Sequence, residues 1–553
     1  MGRRQAWVPT VLRIVASVLA GLAAAVSMLL AMIAGRYWLG VVPPVEAIPD
    51  RVAALLSINE FFSLFGKYGG YSGLKRFGIL SGLRGVIGVG VGIGLLNGLL
   101  HELPFARRGA QWGMVSRRVV LILVTAAALV WIGLVVFLWP GIAANDRGVP
   151  YTWARVLTIA ALLAWIALFL GVLIGVYRWL ASAVPRVALQ GRTDASDPVV
   201  TATSPRWGAL SRRTVVTAGA TGLMVWPFWT LLRRMERDAT FSYDGTVYSG
   251  EDIQPITPTD RFYTVTKNVV DPDVERDLWR LEIGGHVDHG RTYSYDDLMS
   301  FDQVDQETTL MCISNRIGAG LFSNAMWKGV RLRDLLLDAG VRDGSVEVYL
   351  HGADGYRDTF AFDKAMEETT LLVYQINGEP LPRRHGYPVR VIVPGLYGEK
   401  NVKWVTRIDV TTADENGFYE DQGWGPDFVP KTRSDIFSPR TRLAKGVFTF
   451  TRDFPVDRKV EVKGRAFAAD RGIRSVEFSV DGGTTWSPAE IYYPGTRLTW
   501  ALWRFEWTPA APGNVDIVTR AVDGLGNPQP TQASEIVPQG AQGLHVVTAT
   551  VVA

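Results

Sequence analysis

Cys312 is the only cysteine in the 553-residue sequence, and its chemistry narrows what the protein can do. A thiolate is a soft ligand for metal ions, and coordination keeps the sulfur deprotonated. A single thiol forms no internal disulfide, so an exported domain would depend on its hydrophobic core for stability. Taken alone, Cys312 is more typical of the small buried hydrophobe that most free cysteines are. Its neighbours must decide between the two interpretations.

Three segments in the second half of the chain carry polar residues and glycines in a recognisable order. The first surrounds Cys312, with Asn315 and Arg316 after it and Ser-Asn-Ala-Met-Trp-Lys-Gly at 323–329. The others are the segment from His385 to Gly395 with Asn-Val-Lys-Trp at 401–404, and Val-Asp-Gly-Gly-Thr-Thr-Trp at 480–486 with Asp523, Gly526, Asn527 and Gln529-Pro530. From Phe262 to the C-terminus, the sequence resembles the sulfite oxidase family of molybdenum enzymes.

The resemblance implies that the protein is an oxidoreductase with a molybdenum–molybdopterin cofactor. In that family, two dithiolene sulfurs of one molybdopterin and one cysteine hold the metal, and Cys312 stands at the position of that cysteine. A phosphate prefers cations with hydrogen-bonding geometry. The residues that the resemblance places against the pterin or its phosphate are Tyr263, Thr264, Val265, Thr266, Lys267, Asp354, His385, Arg390 and Lys403, with the backbone of Asn401 and Val402. The residues that it places at the reacting centre are Cys312, Asn315, Arg316 and Trp424.

The expected pocket departs from that of the sulfite-oxidising members, which surround a dianionic substrate with arginines and a tyrosine. The positions expected to carry these side chains hold Val265 or Thr266, Ile317, Gln539 and Trp424 instead. Loss of positive charge favours a neutral S-oxide or N-oxide as the small-molecule substrate, and sulfite is the alternative. We expect the walls of such a pocket to be Trp424, Tyr419 and Phe418.

Electrons are expected to pass to or from a separate protein or the quinone pool. The sequence contains six histidines, and His286 and His289 make no convincing pair of axial ligands, so no haem is predicted. The resemblance also implies that the C-terminal domain can form a homodimer. A net charge of only +4 argues against nucleic acid as a partner. The basic residues instead cluster beside apolar segments, which is typical of a membrane protein.

Apolar stretches in the first part of the chain predict about five transmembrane helices. A helix that crosses a hydrocarbon core of about 30 Å needs roughly 20 residues. The stretches are 8–34, 77–100, 119–139, 156–180 and 214–232. The second contains alternating glycines at 88–94. We interpret these as small residues at a helix–helix contact, because a phosphate-binding loop needs a strand–turn–helix context.

Flanking charges predict the orientation of these helices in a cytoplasmic membrane. Arginines precede the first stretch and cluster between the second and third and between the fourth and fifth, which places those segments in the cytoplasm. The connections 35–76 and 141–153, and everything after 232, are then extracytoplasmic, although 35–76 carries basic residues too. The segment Ser-Arg-Arg-Thr-Val-Val at 211–216 either resembles a twin-arginine export signal or holds two ordinary cytoplasmic arginines.

These patterns predict a multi-domain protein. Residues 1–235 form an α-helical transmembrane anchor, 240–430 an α+β molybdopterin-binding domain of the sulfite oxidase type, and 431–553 an immunoglobulin-like β-sandwich. The strands expected in the α+β region are 279–283, 346–350 and 389–393, with a helix at 330–340. The strands expected in the sandwich are 460–467, 473–480, 499–507 and 515–522.

Two functions of other classes remain open at this point. A transporter or sensor whose outer domain only binds a ligand would carry functional polar residues inside its membrane spans, and these are scarce. A non-catalytic interaction module would have lost Cys312 or Arg390, and both are present. The sequence therefore favours a redox enzyme.

Overall fold

We describe the fold from a computed structural model of the chain. The structure describes residues 2–68, 70–107, 115–182, 253–439, 442–444, 447–449 and 453–553, with isolated helical residues between 212 and 233. The chain divides into two compact units, each built from three separate segments of the sequence. The helical unit comprises Met1–Arg51, Lys75–Ala144 and Thr152–Ala239, and the β-rich unit comprises Val52–Leu74, Asn145–Tyr151 and Thr240–Ala553.

Long apolar helices dominate the chain up to residue 182. The helices described there are α1 (Gly2–Leu39), α2 (Pro44–Ala53), α3 (Ile58–Lys67), α4 (Tyr71–Glu102), α5 (Pro104–Arg107), α6 (Arg117–Leu138) and α7 (Tyr151–Ala181). Among the described residues, four helical segments are long and apolar enough to cross a membrane: Thr10–Leu39, Gly73–Glu102, Arg117–Gly141 and Tyr151–Ala181. The first four predicted stretches are therefore helical. The fifth stretch, the possible export signal at 211–216 and the predicted cytoplasmic segment between the fourth and fifth stretches lie wholly or largely outside the described residues.

The glycines of α4 let its backbone approach α1 closely. A Cβ atom added to Gly90 would lie 2.6 Å from the Cβ of Ala25, and one added to Gly94 would lie 2.5 Å from the carbonyl oxygen of Ser17. A Cβ on Gly92 would meet nothing within 4 Å, so only one face of the glycine run is used. The interpretation of these glycines as a helix–helix contact is confirmed.

The β-rich unit up to residue 438 mixes strands and short helices. Its elements are β1 (Leu281–Gly285), β2 (Arg291–Tyr293), α8 (Tyr295–Met299), β3 (Gln303–Met311), β4 (Phe322–Arg331), α9 (Leu332–Asp338), β5 (Glu347–Gly352), β6 (Arg357–Ala361), α10 (Phe362–Ala365), β7 (Leu371–Ile376), β8 (Glu379–Pro380), β9 (Arg390–Ile392), β10 (Val405–Thr411) and β11 (Arg433–Ser438). One sheet has the order β2-β1-β10-β5-β6, and another has the order β3-β4-β7-β8 with β9 paired to β7. These elements give the α+β architecture expected for this region.

The helix expected at 330–340 begins two residues later than predicted. Val330 and Arg331 pair with Leu372 and Leu371 of β7, so they complete β4 before α9 starts. Gly340 follows the helix with a φ of 69°, a conformation that glycine adopts at low cost. Pairing with β7 therefore overrides the helical periodicity at the first turn.

In the C-terminal part, the regular elements among the described residues are all strands. They are β12 (Arg442–Ala444), β13 (Val447–Thr449), β14 (Asp453–Pro455), β15 (Val460–Phe467), β16 (Ile473–Ser479), β17 (Ser487–Pro488), β18 (Glu490–Tyr493), β19 (Ala501–Trp507), β20 (Gly513–Asp523) and β21 (His545–Val552). Sheets of order β11-β15-β19-β18 and β14-β21-β20-β16-β17 share one core that includes Val462, Phe478, Trp503 and Ile517. The four strands predicted from alternation are all present, and the immunoglobulin-like topology stays a prediction.

Two connections between the membrane-span candidates belong to the β-rich unit. One is Val52–Leu74, which contains α3, and the other is Asn145–Tyr151. The backbone N–H of Asn145 donates to the carbonyl oxygen of Ala353 at 2.8 Å. Both connections are segments for which the charge pattern predicts an extracytoplasmic position.

Candidate functional site

Cys312 lies at the start of the connection between β3 and β4, residues 312–321, which we call the Cys312 loop. Met311 and Phe322 pair at its two ends, and the Cys312 N–H donates to the carbonyl oxygen of Leu321 at 3.0 Å. Inside the loop, Asn315 accepts the Leu321 N–H on its Oδ1 at 2.9 Å. The antiparallel pair thus closes a compact loop that fixes the cysteine, whose sulfur is largely buried.

Charged side chains from β11 and β15 hold the Cys312 loop in place. Arg465 donates from Nη2 to the carbonyl oxygen of Ala319 at 2.6 Å, and Asp435 accepts the Gly318 N–H at 3.1 Å. Asp435 also lies 3.0 Å from Nη2 of Arg433. Burial opposes ionisation of Asp435, but the two arginines outweigh it and lower its pKa to about 2. A buried carboxylate between two guanidinium groups therefore supports the loop.

The turn at Gly386 brings two basic side chains together. Gly386 has a φ of 109°, and a Cβ atom there would lie 3.0 Å from the Cβ of Arg390 and 3.1 Å from the Cβ of Lys403. Both the conformation and the space require glycine. Arg390 donates from Nη1 to the carbonyl oxygen of His385 at 3.1 Å and from Nη2 to that of Asn401 at 3.0 Å.

These basic residues form a buried cluster with an excess of positive charge. Burial lowers the pKa of Arg390 to about 10. Burial also lowers the pKa of Lys403 to about 8, a decrease that Asp271 opposes and Arg390 reinforces. Burial, Arg390 and Lys403 lower the pKa of His385 to about 3, so its imidazole is neutral at pH 7. A phosphate bound here would offset the repulsion and raise all three pKa values.

The segment that the resemblance places beside the pterin is tied to this cluster. Lys403 donates from Nζ to the carbonyl oxygen of Val265 at 3.2 Å. Lys267 donates to the carbonyl oxygen of Asp354 at 3.0 Å, and Asn268 donates to Asp354 Oδ2 at 2.8 Å. The turn at Asp354 therefore belongs to the same neighbourhood as the basic cluster.

Tyr263 connects the basic cluster to Cys312. Tyr263 and Cys312 pack in one hydrophobic cluster with Trp327. The Arg390 guanidinium lies 5.4 Å from the centroid of the Trp327 ring. Burial raises the pKa of Tyr263 well above its ordinary value; the charge of Cys312 raises it further and that of Arg390 lowers it. One phenol thus lies within electrostatic range of both the thiol and the guanidinium.

The side of the site next to the Cys312 loop is aromatic. Trp424 is buried, and its ring lies 6.2 Å from that of Tyr419. Both pack in one cluster with Met311 and Ile313, the residues that flank Cys312. Burial and the charge of Cys312 raise the pKa of Tyr419 above its ordinary value, so its hydroxyl stays protonated at neutral pH.

The residues at the site fit a cofactor that is anionic and brings its own metal ligands. Among the described residues, the buried atoms Arg390 Nε, Asn315 Nδ2 and Trp424 Nε1 have no hydrogen-bond partner in the protein. The described part of the chain contains no cluster of three or more His, Cys, Asp or Glu side chains that could hold a metal ion. If the cofactor is a molybdopterin, its dithiolene would supply two sulfur ligands to a metal bound at Cys312.

Comparison with known proteins identifies two regions of the chain. Residues 268–419 match the model of the oxidoreductase molybdopterin binding domain, and residues 445–538 match that of the Mo-co oxidoreductase dimerisation domain. The sulfite oxidase of Gallus gallus is 31% identical over 326 residues, which cover 51% of this chain and 69% of that protein. The chain belongs to the sulfite oxidase family of molybdopterin-binding oxidoreductases.

Other members of the sulfite oxidase family match over a smaller share of their length. The mitochondrial sulfite oxidase of Mus musculus is 31% identical over 325 residues, or 51% of this chain and 58% of that protein. The NADH nitrate reductase of Hordeum vulgare is 28% identical over 333 residues, or 50% of this chain and 36% of that protein. The chain thus spans little more than half the length of its mammalian relatives, and its own activity is a matter for proposal.

Several residues that the sulfite oxidase resemblance singled out contribute through their backbone or as supports. The Arg316 side chain is exposed, and its carbonyl oxygen accepts from Arg433 at 3.0 Å. The Asn401 side chain accepts the Val393 N–H at 2.7 Å. Four other residues that the sequence analysis predicted at the pterin or in the pocket wall are buried in the β-rich unit: Thr264, Thr266, Val402 and Phe418.

Sequence reasoning missed the charged residues that support the Cys312 loop. Arg465 follows the polar positions of an alternating strand, so its side chain looks solvated although it is 1% exposed. It also missed Glu399, whose carboxyl oxygens are shielded from solvent and whose pKa burial raises to about 8. Contacts across more than 100 residues leave no local pattern, and no signal in the sequence identified these side chains.

Replacing Arg390 by methionine is expected to weaken cofactor retention about 10- to 100-fold, because hydrogen bonds to charged groups contribute about 1.5–3 kcal/mol. Cofactor content after gel filtration measures this loss. Arg383→Met is the matched control, since Arg383 is exposed and donates to the carbonyl oxygen of Pro272 at 2.8 Å. Equal cofactor content in the two variants would contradict the expected role of Arg390 in binding the cofactor.

Proposed function

We propose that the protein is a membrane-anchored molybdopterin-dependent oxidoreductase that reduces a neutral S-oxide or N-oxide. The observation that carries this proposal is the joint position of Cys312, the basic cluster of Arg390 and Lys403, and the aromatic side of Tyr419 and Trp424. In this proposal Cys312 is the protein ligand of molybdenum, and the basic cluster binds the phosphate of the pterin. When bound, the cofactor supplies oxygen-atom transfer coupled to two electrons.

The charge around the Cys312 loop supports a neutral substrate. A dianion such as sulfite needs cationic side chains whose donors are free to face it beside the metal. The two buried arginines at the loop, Arg433 and Arg465, share the carboxylate of Asp435 and donate to backbone carbonyls. Arg316 is exposed. Reduction of an S-oxide consumes two protons and two electrons and releases water, so the substrate needs hydrogen-bond donors more than fixed positive charge.

Anaerobic assays of the purified full-length protein test the direction of the reaction. We expect oxidation of a reduced viologen dye when dimethyl sulfoxide or methyl phenyl sulfoxide is added, and no ferricyanide reduction with sulfite. The Cys312→Ser variant, prepared in parallel, accounts for dye oxidation that does not involve the metal. Appreciable turnover of sulfite would contradict the proposed substrate.

Sulfite oxidation is the second candidate, and the comparisons favour it directly. The relatives of about 31% identity are sulfite oxidases. The segments around Cys312 and Arg390 lie in residues 268–419, which match the oxidoreductase molybdopterin binding domain. The same assays separate the two candidates because they run in opposite redox directions. A non-catalytic ligand-binding protein would show neither reaction and would carry no molybdenum.

The proposed location is the cytoplasmic membrane, with the β-rich unit on the extracytoplasmic side. The charge pattern assigns the connections 35–76 and 141–153 to that side. Val52–Leu74 and Asn145–Tyr151, within those connections, are parts of the same compact unit as the molybdopterin-binding region. This shared membership supports the orientation. Protease added to intact spheroplasts should cleave the β-rich unit and spare the predicted cytoplasmic loop around 183–210.

The remaining elements of the proposal concern organisation and partners. The three-part division at 235–240 and 430–431 stands as proposed, with the qualification that two connections of the anchor join the β-rich unit. The match of residues 445–538 to a dimerisation domain supports a homodimer. Electrons would come from a separate protein or from quinol in the membrane, since no haem is expected.

A further inference from the structure

α3 is a helix that the sequence assigns to the membrane anchor but that folds with the β-rich unit. It begins with a capping box, in which Ser57 accepts the Glu60 N–H at 3.4 Å and Glu60 accepts the Ser57 N–H at 2.9 Å. A ten-residue helix is marginal by itself in water, so its stability depends on what its apolar face contacts. Its large apolar side chains are Ile58, Phe61, Phe62, Leu64 and Phe65.

Two of these side chains, Ile58 and Phe62, meet the aromatic side of the candidate site. The Phe62 ring lies 6.0 Å from the Trp424 ring at an interplanar angle of 60°. Two residues before Trp424, Gln422 donates from Nε2 to the carbonyl oxygen of Ala53 at 3.0 Å. This hydrogen bond joins the residues before α3 to the segment that contains Trp424. Ile58 packs with Phe62 against this cluster.

The cluster that receives α3 also contains the residues that flank Cys312. Met311, Ile313, Trp424 and Phe62 belong to one contiguous apolar group. Within it, Trp424 Nε1 is a buried donor with no hydrogen-bond partner among the described residues. A buried donor without a partner is costly unless a ligand or water completes it. An oxygen of a substrate bound beside Cys312 is a suitable acceptor.

We propose that α3 is a wall of the substrate pocket and that Phe62 limits the size of the apolar substituent a substrate can carry. The proposal rests on the proposed function and specifies its substrate class: a neutral oxide whose oxygen accepts from Trp424 Nε1 and whose organic group lies against Phe62. Phe62 is then a specificity-determining residue contributed by a connection between membrane helices.

Sulfones test this proposal without depending on which substrate is turned over. They carry oxygens and organic groups like those of S-oxides, so dimethyl sulfone and methyl phenyl sulfone serve as inhibitors of a small and a large size. In Phe62→Ala we expect the ratio of their inhibition constants to shift about tenfold in favour of the larger compound, since small changes in an apolar pocket alter discrimination by about 10- to 200-fold.

Phe65→Ala is the matched control, because it removes the same ring from the same helix. Phe65 lies 5.8 Å from Phe62 and is not among the residues packed on the cluster of Trp424. The ratio of inhibition constants should stay at the wild-type value in this variant. If Phe62→Ala fails to retain molybdenum, Phe62→Leu should shift the ratio in the same direction by a smaller factor.

The two proposals fail separately. If the wild-type protein turns over sulfite only, the proposed function is wrong, and the inhibition ratio is measured against sulfite oxidation. An unchanged ratio in Phe62→Ala, with molybdenum retained, would overturn the role of α3 whatever the substrate is.

Discussion

Replacing Cys312 by serine is expected to deprive the purified protein of molybdenum and to lower turnover by more than about a hundredfold. A serine hydroxyl is a hard ligand that stays protonated at neutral pH, whereas the soft thiolate suits the metal. Loss of outer-shell partners alone typically costs about 10–100-fold in metal affinity or activity, and loss of the ligand itself should cost more. Metal analysis of the wild type and the variant, together with viologen oxidation, gives the result.

Ser314→Ala is the control for this variant. Ser314 Oγ lies 3.1 Å from Cys312 Sγ, so its removal changes the surroundings of the sulfur and leaves the ligand in place. Molybdenum content should stay close to that of the wild type. A Cys312→Ser protein that keeps its molybdenum and its activity would falsify the assignment of the ligand.

The second large effect is expected from Asp435→Asn, which should destabilise the β-rich unit by about 3–5 kcal/mol. Removing one partner of a buried ion pair leaves an uncompensated buried charge, and that loss is of this order. Here the carboxylate serves both Arg433 and Arg465, each of which also holds carbonyl oxygens of the Cys312 loop. We expect a lower melting temperature by calorimetry and, in the same samples, a reduced molybdenum content.

The dependence of the free energy of unfolding on pH, at low pH, provides an independent check on the role of Asp435. Its folded pKa of about 2 lies below its ordinary value of 3.8, so its contribution is present above pH 3.8 and is lost as the pH falls through about 2. The variant should lose less stability than the wild type over that interval. Asp481→Asn is the control: this exposed carboxylate also has a lowered pKa, but it accepts only from its own surface turn. Equal melting curves for the two variants would contradict the role assigned to Asp435.

Local patterns predicted the elements whose residues interact mainly with near neighbours. The strands at 460–467 and 473–480 were predicted from alternation and are present as β15 and β16. The four described membrane-span candidates followed from apolar length alone. In both cases one property of consecutive residues decides the structure, because burial of one face or of the whole surface dominates the free energy.

The candidate site was predicted where a motif carried it and missed where it depends on distant contacts. Cys312, Arg390 and Lys403 were identified because they stand in segments that resemble a known family. Phe62 was placed with the membrane anchor, since nothing near it in the sequence shows that its ring meets Trp424, 362 positions later. Arg465 alternates like a solvent-facing residue of a strand, and Asp435 stands in a run of three polar residues at the start of β11, but both side chains contact the Cys312 loop. Long-range pairing of this kind has no local signature.

The support of the Cys312 loop by β11 and β15 sets an order of events in the cell. Asp435 reaches Gly318 across 117 residues of sequence, and Arg465 reaches Ala319 across 146. A nascent chain that has just extended past the cysteine therefore lacks the side chains that give this loop its final form. We therefore expect loading of the pterin to follow synthesis of β15, and a chain truncated before that point to be an apoprotein.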